Sequence, residues 1–239
     1  MELFSAIWWS ALLAIVLIDL VLAGDNAIVI ALAARNLPPH LQNLAVVSGT
    51  VGAVAVRAMM AFGTVWLLHI PGLLLVGGIG LVWVAYQLLA DDTEEVHDDP
   101  AANTFWAAMK TIIVADALMG VDNVLGVVGA AHGALELVVI GLLISLPIVL
   151  FGSTLVLRLV QRFPLIIQLG GAILAFTAAK MIVSEPLLKG VFGPFHGDIA
   201  AAPLQTAARW VVYVAVIGGV MMAGWWKKRG AQVSQQLVG

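Results

Sequence analysis

The residues best suited to chemistry are acidic and amide side chains inside long apolar runs. The pattern Asp, five residues, Asp-Asn occurs in IDLVLAGDNAIVI and again, 97 positions later, in ADALMGVDNVLGV. The six residues are Asp19, Asp25, Asn26, Asp116, Asp122 and Asn123. An aspartate at the centre of a membrane helix costs about 2.5–3.5 kcal/mol on insertion scales, so such a group usually faces a cavity and serves a function. The alternative is a neutral aspartate that hydrogen-bonds two helices.

These side chains form a ligand set for a hard metal ion, because their oxygens suit Mg²⁺, Ca²⁺ and Mn²⁺ better than Zn²⁺ or Cu⁺. The chain has no cysteine, which excludes thiolate sites and disulfides, and its five histidines fall in loops or at the ends of apolar runs. Four aspartates with Arg57 and Lys180 give an intramembrane charge of −2, which a divalent cation would neutralise. We expect Arg57 to be the counter-ion of one aspartate, and the Lys180 ammonium to extend towards the interface.

The spacing within each motif places its first aspartate and its asparagine on one helix face, because seven residues make nearly two turns. The second aspartate lies about 100 degrees away, so it can join the others only where the helix is broken. Gly24 and Gly120 stand at the two places where unwinding is easiest. The alternative role of these glycines is close helix packing.

The composition predicts an all-α, polytopic membrane protein. Of 239 residues, 62% are hydrophobic and 10% are charged, which leaves too little polar surface for a water-facing globule. The apolar runs are long and continuous rather than alternating, which favours helices over a β-barrel. Seven predicted spans cover residues 5–34, 41–68, 72–90, 105–131, 134–159, 165–184 and 206–226.

The spans predict one membrane domain, 1–239, built from two repeats. Pro71 and Pro164, like the pairs Gly77-Gly78 and Gly170-Gly171, are 93 positions apart. The domain boundaries are repeat one at 5–90, an acidic cytoplasmic linker at 91–104, repeat two at 105–184 and a seventh helix at 206–226. Because each repeat has three spans, the second enters from the opposite face, which gives an inverted repeat.

Basic residues predict a cell-membrane protein with its N-terminus outside and its C-terminus in the cytoplasm, because Lys and Arg stay preferentially on the cytoplasmic side. Seven fall on that side, and only Lys189 and Arg209 fall on the other. The stretch 185–205 is interpreted as an outer loop without identifiable chemistry. The expected partners are the lipid bilayer and a divalent metal ion; a net charge of −3 disfavours nucleic acid. No oligomeric state is predicted.

The segments DLVLAGDNAIVIALAARNLP and DALMGVDNVLGV, together with the seven-span layout, resemble the TerC family of integral membrane proteins and more narrowly its bacterial YjbE-like branch. The resemblance implies export of manganese or a related divalent metal, a historical link to tellurium resistance, and kinship with the LysE-type exporters. It also implies metal binding by the two Asp-Asn pairs, with the first aspartate of each motif nearby.

The leading hypothesis is a secondary transporter, not an enzyme, that exports Mn²⁺ as its substrate and has no resident cofactor. One alternative is an intramembrane aspartyl protease, in which two aspartates share a proton and activate water. The protease families carry a Pro-Ala-Leu signature that this chain lacks. A second alternative is a membrane factor that supplies metal to exported proteins.

Overall fold

A computed structural model of the chain describes residues 5–67, 70–90, 101–131, 134–163, 165–193 and 203–238. These residues form helices and connecting turns, with no strand among them, which confirms the all-α prediction. The helices are α1 Ala6–Ala34, α2 Pro39–Phe62, α3 Thr64–Leu67, α4 Leu73–Ala90, α5 Ala101–Ala130, α6 Leu135–Arg162, α7 Leu165–Val183, α8 Lys189–Phe192 and α9 Pro203–Val238, with a 3₁₀ turn at Pro186–Leu188.

The seven predicted spans correspond to α1, α2, α4, α5, α6, α7 and α9. Six of these contain a stretch long and apolar enough to cross a membrane, and the seventh, α1, qualifies as a bent span with segments Ala6–Leu22 and Gly24–Ala34 at 43°. The helices therefore fit a multi-pass integral membrane protein.

Several boundaries differ from the prediction. The second span ends at Phe62, and α3 follows after Gly63. Residues 101–104, assigned to the acidic linker, are the first turn of α5, because their alanines and neutral polar residues do not oppose a helix. The remainder of that linker, 91–100, lies outside the described residues. The seventh helix continues to Val238.

Local sequence explains where the first two helices begin. The Ser5 hydroxyl accepts a hydrogen bond from the Trp8 backbone N–H at 3.2 Å, so it caps the start of α1. Pro39 is the first residue of α2, where a proline has no intrahelical hydrogen bond to lose.

The described helices group into two compact units. The first contains α1, α2, α3, α5 and α6. In it α1 packs along α6 and α2 along α5, and contacts of α1 with α5 and of α2 with α6 close the bundle. The second contains α4, α7, α8 and α9, with α4, α7 and α9 in mutual contact. The prediction of a single membrane domain stays a prediction.

Close packing in the first unit occurs twice, at equivalent positions. A Cβ added at Gly49 of α2 would lie 2.8 Å from Ile112 Cδ1 of α5. A Cβ added at Gly141 of α6 would collide with Ile15 of α1. Ile15 and Ile112 are 97 positions apart, the offset of the Asp-Asn motifs, and Gly49 and Gly141 are 92 apart. The sequence repeat therefore has a counterpart in the packing.

The second unit has the same feature. A Cβ at Gly78 of α4 would lie 2.7 Å from Ile182 Cγ1 of α7, and one at Gly171 of α7 would lie 2.6 Å from Leu89 Cγ of α4. Both the glycines and their apolar neighbours are 93 positions apart. The inversion of one repeat relative to the other stays a prediction.

Candidate functional site

A buried ion-pair cluster joins the four long helices of the first unit. Arg57 Nη1 on α2 donates to Asp19 Oδ1 on α1 at 2.7 Å, and Arg57 Nη2 donates to Asp116 Oδ1 on α5. The Ser145 hydroxyl on α6 donates to the second oxygen of Asp19. One guanidinium thus bridges the first aspartates of both motifs, where the sequence predicted a counter-ion for only one.

The cluster is removed from the surface of the unit. Asp19 is 1% exposed, Arg57 4%, Asp116 5% and Ser145 1%. Because two carboxylates share one guanidinium, the formal charge of the group is −1 when both are ionised. A buried charge is tolerated only where partners compensate for its lost hydration, so the pairing explains how these side chains persist in an apolar bundle.

The buried face of α2 positions the guanidinium. Ala53 and Ala61 lie one turn before and after Arg57 and are buried with it. Their small side chains leave room for the long arginine side chain between α1 and α5. On α1, Ile15 packs closely against α6 one turn before Asp19 and fixes the depth of that carboxylate.

Two atoms of the cluster lack a partner among the described residues. Asp116 Oδ2 and Arg57 Nε are both buried, and neither makes a hydrogen bond. A buried unpaired polar atom costs about 1–3 kcal/mol, so natural proteins keep few of them without a reason. Asp116 therefore presents a carboxylate oxygen that the fold itself does not use.

The two asparagines lie where the seven-residue spacing predicts. Asn26 is 4% exposed and Asn123 7%, so each shares the buried face of its helix with Asp19 or Asp116. Both Asn26 amide atoms, Oδ1 and Nδ2, are buried without a hydrogen-bond partner in the described part of the chain. The oxygen of such an unpaired amide is available to coordinate a bound cation.

Of the two second aspartates, only Asp25 has a described side chain. Asp25 is half-buried. The side chain of Asp122 lies outside the described residues. No group of three or more His, Cys, Asp or Glu side chains within the described ranges has an arrangement that could hold a metal ion. Binding of one metal ion by the six predicted ligands therefore stays a prediction.

The bend in α1 falls beside the first motif. Its two segments meet at Leu22 and Gly24, immediately before Asp25. A Cβ at Gly24 would meet nothing within 4 Å, so the close-packing alternative is wrong for this glycine. In the second motif α5 runs unbroken past Gly120, so the predicted break is absent there, and a Cβ would lie 3.5 Å from Met60 Sδ, an ordinary contact.

Sequence reasoning missed two polar residues. Ser145 gives no signal, because serines are common in apolar helices. Glu185 was placed in a loop without chemistry, yet it is 2% exposed, and its carboxylate accepts backbone N–H bonds from Gly72, Leu75 and Leu187 at 3.1–3.2 Å. It caps the start of α4 in the second unit. Its position directly before Pro186, at a helix start, was the available signal.

The chain matches the Integral membrane protein TerC family over residues 4–232. It is 42% identical to the membrane protein YjbE of Bacillus subtilis, over 83% of this chain and 90% of that relative. It is 22% identical to YkoY of the same organism over 92% of this chain and 72% of the relative.

The UPF0053 protein YegH of Escherichia coli is 26% identical over 67% of this chain, but the match covers only 34% of YegH. No solved structure gives a significant match. The family match includes both Asp-Asn motifs and all seven spans. The chain is therefore a multi-pass integral membrane protein of the TerC family.

Proposed function

We propose that the protein is a secondary transporter that exports Mn²⁺ or a related divalent cation through a site formed by α1 and α5. The observation that carries the proposal is the presence of buried oxygen donors without partners on both motif helices. Asn26 Oδ1 lies on α1 and Asp116 Oδ2 on α5, and these two helices pack together. Such donors are costly unless they serve a ligand.

The chemistry of the donors favours a hard divalent ion. The six motif residues offer only carboxylate and carboxamide oxygens, and the chain has no thiolate. A cation that leaves water needs oxygens to replace its hydration shell, and carboxylates also neutralise its charge. Mn²⁺ is the member of this class that the family resemblance implies.

Alternating access is proposed to follow from the two repeats, with the site at their interface. The bend in α1 lies immediately before Asp25, the residue that a straight helix would place about 100 degrees away from Asn26. The proposed orientation, in the cell membrane with an outer N-terminus and a cytoplasmic C-terminus, rests on the distribution of Lys and Arg.

The position of Arg57 supports transport over proteolysis. An aspartyl protease needs two carboxylates that share a proton around one water, whereas Asp19 and Asp116 are each paired with the same guanidinium. We therefore propose that the protein is not an enzyme and has no resident cofactor. A factor that only hands metal to exported proteins would bind Mn²⁺ without moving it across the bilayer.

The proposal is tested by export from cells loaded with manganese. Cells producing the wild-type protein should lose Mn²⁺ and survive, while those producing Asp25→Ala or Asp122→Ala should retain it, since each variant lacks one carboxylate of the site. Variants that protect as well as the wild type would remove these aspartates from the proposal. Membrane abundance measured by immunoblot controls for failed insertion.

Asn26→Leu separates a transport role from a structural one. Because it removes an unpaired buried amide, we expect the metal-free protein to gain about 1–3 kcal/mol in unfolding free energy while losing Mn²⁺ export. Asn43→Leu, at an exposed position of α2, is the matched control and should keep export. Loss of stability in Asn26→Leu with unchanged export would assign Asn26 to the fold instead.

A further inference from the structure

The most unusual feature of the cluster is that the carboxylates of Asp19 and Asp116, which would bind the transported ion, are already paired with a positive charge of the protein. Among the described residues, Arg57 is the only buried basic side chain. It engages one oxygen of Asp19 and one of Asp116, and so bridges two motifs that are 97 positions apart.

We propose that Arg57 is a tethered cation that holds Asp19 and Asp116 together in the metal-free protein and that the transported ion must displace it. This inference rests on the proposed function and adds the competitor that regulates the site. In the displaced state, the two carboxylates are released from the guanidinium and become ligands of the ion.

Electrostatic repulsion favours displacement of the Arg57 guanidinium over simultaneous binding of the guanidinium and the divalent ion at the two carboxylates. An ion that contacts Asp19 and Asp116 would lie beside the guanidinium that is bonded to the same two carboxylates. In a medium of low dielectric the guanidinium would repel that ion strongly at such close range. Arg57 and the ion therefore compete for the same carboxylates.

The hydrogen bonds of Arg57 are consistent with a group that can leave. Both of its bonds run from the terminal nitrogens to the aspartates, while the buried Nε has no partner. No other described side chain accepts a hydrogen bond from it. A purely structural buried arginine would be expected to have its donors satisfied.

The order of displacement follows from the unequal partners of the aspartates. Asp19 keeps the Ser145 hydroxyl when the guanidinium leaves, whereas Asp116 has a free oxygen even before it leaves. The ion therefore meets Asp116 first, and the bond between Arg57 and Asp116 breaks before the bond to Asp19.

The test is the Mn²⁺ dissociation constant of the purified protein, measured by calorimetry and by thermal stabilisation. Arg57→Gln removes the competitor, so Mn²⁺ should bind at least about tenfold more tightly than to the wild type, because the binding-competent fraction rises. Arg57→Lys keeps a charge that reaches only one carboxylate, so its affinity should lie between the two. Arg158→Gln, the same change at an exposed position of α6, should bind as the wild type does.

Two results would overturn the inference, and they point to different causes. If Arg57→Gln and Arg57→Lys bind Mn²⁺ as the wild type does, or more weakly, Arg57 is a fixed part of the site and only the displacement step is wrong. If Mn²⁺, Ca²⁺ and Mg²⁺ bind neither the wild type nor any variant, the proposed function fails and displacement fails with it. If Arg57→Gln does not fold, the Lys variant decides alone: tighter binding supports displacement, and unchanged or weaker binding contradicts it.

Discussion

Asp19 and Asp116 occupy equivalent positions in the two repeats, yet their carboxylates have different hydrogen-bond partners. Both pair with Arg57, but only Asp19 also receives a hydroxyl, that of Ser145. At the offset of 92 that relates Gly49 to Gly141, Ser145 corresponds to Ala53. The equivalent of Ser145 is therefore missing near Asp116, whose second oxygen is unpaired.

Arg57 is a second difference between the repeats near these aspartates, since the equivalent residue on α6 is Val149. Both side chains are buried, so the repeats share a scaffold and differ in the groups it carries. The two repeats thus supply similar carboxylates, but the residues around them on α2 and α6 differ. Asp19 has both oxygens hydrogen-bonded, whereas Asp116 has one oxygen without a partner among the described residues.

The largest expected effect comes from truncating each aspartate in turn. Asp19→Ala leaves part of a buried guanidinium unpaired and should cost about 3–5 kcal/mol of unfolding free energy. Asp116→Ala loses one hydrogen bond fewer and should cost about 1–3 kcal/mol less. Reversible unfolding in mixed micelles without metal measures both, and equal costs would remove the difference between the two acids.

Substitution of the two closely packed glycines, Gly49 and Gly141, should lower the unfolding free energy by similar, intermediate amounts. Gly49→Ala and Gly141→Ala each force a Cβ into an isoleucine of the facing helix and should cost about 1–3 kcal/mol. Gly24→Ala, where a Cβ meets nothing within 4 Å, is the control and should not be destabilising. Thermal unfolding of the three variants decides, and a tolerated change at either packing position would break the equivalence of the repeats.

The smallest expected effect comes from exchanging serine and alanine at positions 53 and 145. Ala53→Ser introduces a hydroxyl at the position that the offset of 92 relates to Ser145, where it should donate to Asp116 and stabilise the metal-free protein by about 0.5–1.5 kcal/mol. It should also weaken Mn²⁺ binding, because the free oxygen gains a competing donor. Ser145→Ala, the reverse change on α6, should destabilise the protein by a similar amount. Stabilisation of both, or of neither, would show that the offset of 92 does not relate their surroundings.

The spans and the buried faces could be predicted because apolar length and helical period are local properties of the sequence. Asp19 and Asn26 share a buried face, as the seven-residue spacing requires. The bridging role of Arg57 could not be predicted, since nothing local specifies which aspartates a guanidinium reaches across three helices. The continuity of α5 could not be predicted either, because a glycine such as Gly120 permits a break in a helix without requiring one.

Transport of Mn²⁺ into proteoliposomes that contain a metal-sensitive dye tests most directly whether oxygens of α1 and α5 carry the ion. We expect saturable influx with the wild type, loss of influx with Asp116→Asn, and retained influx with Glu185→Gln, which changes a buried acid that caps α4 in the other unit. Equal influx with Asp116→Asn and the wild type, or no influx with any of the three proteins, would contradict it.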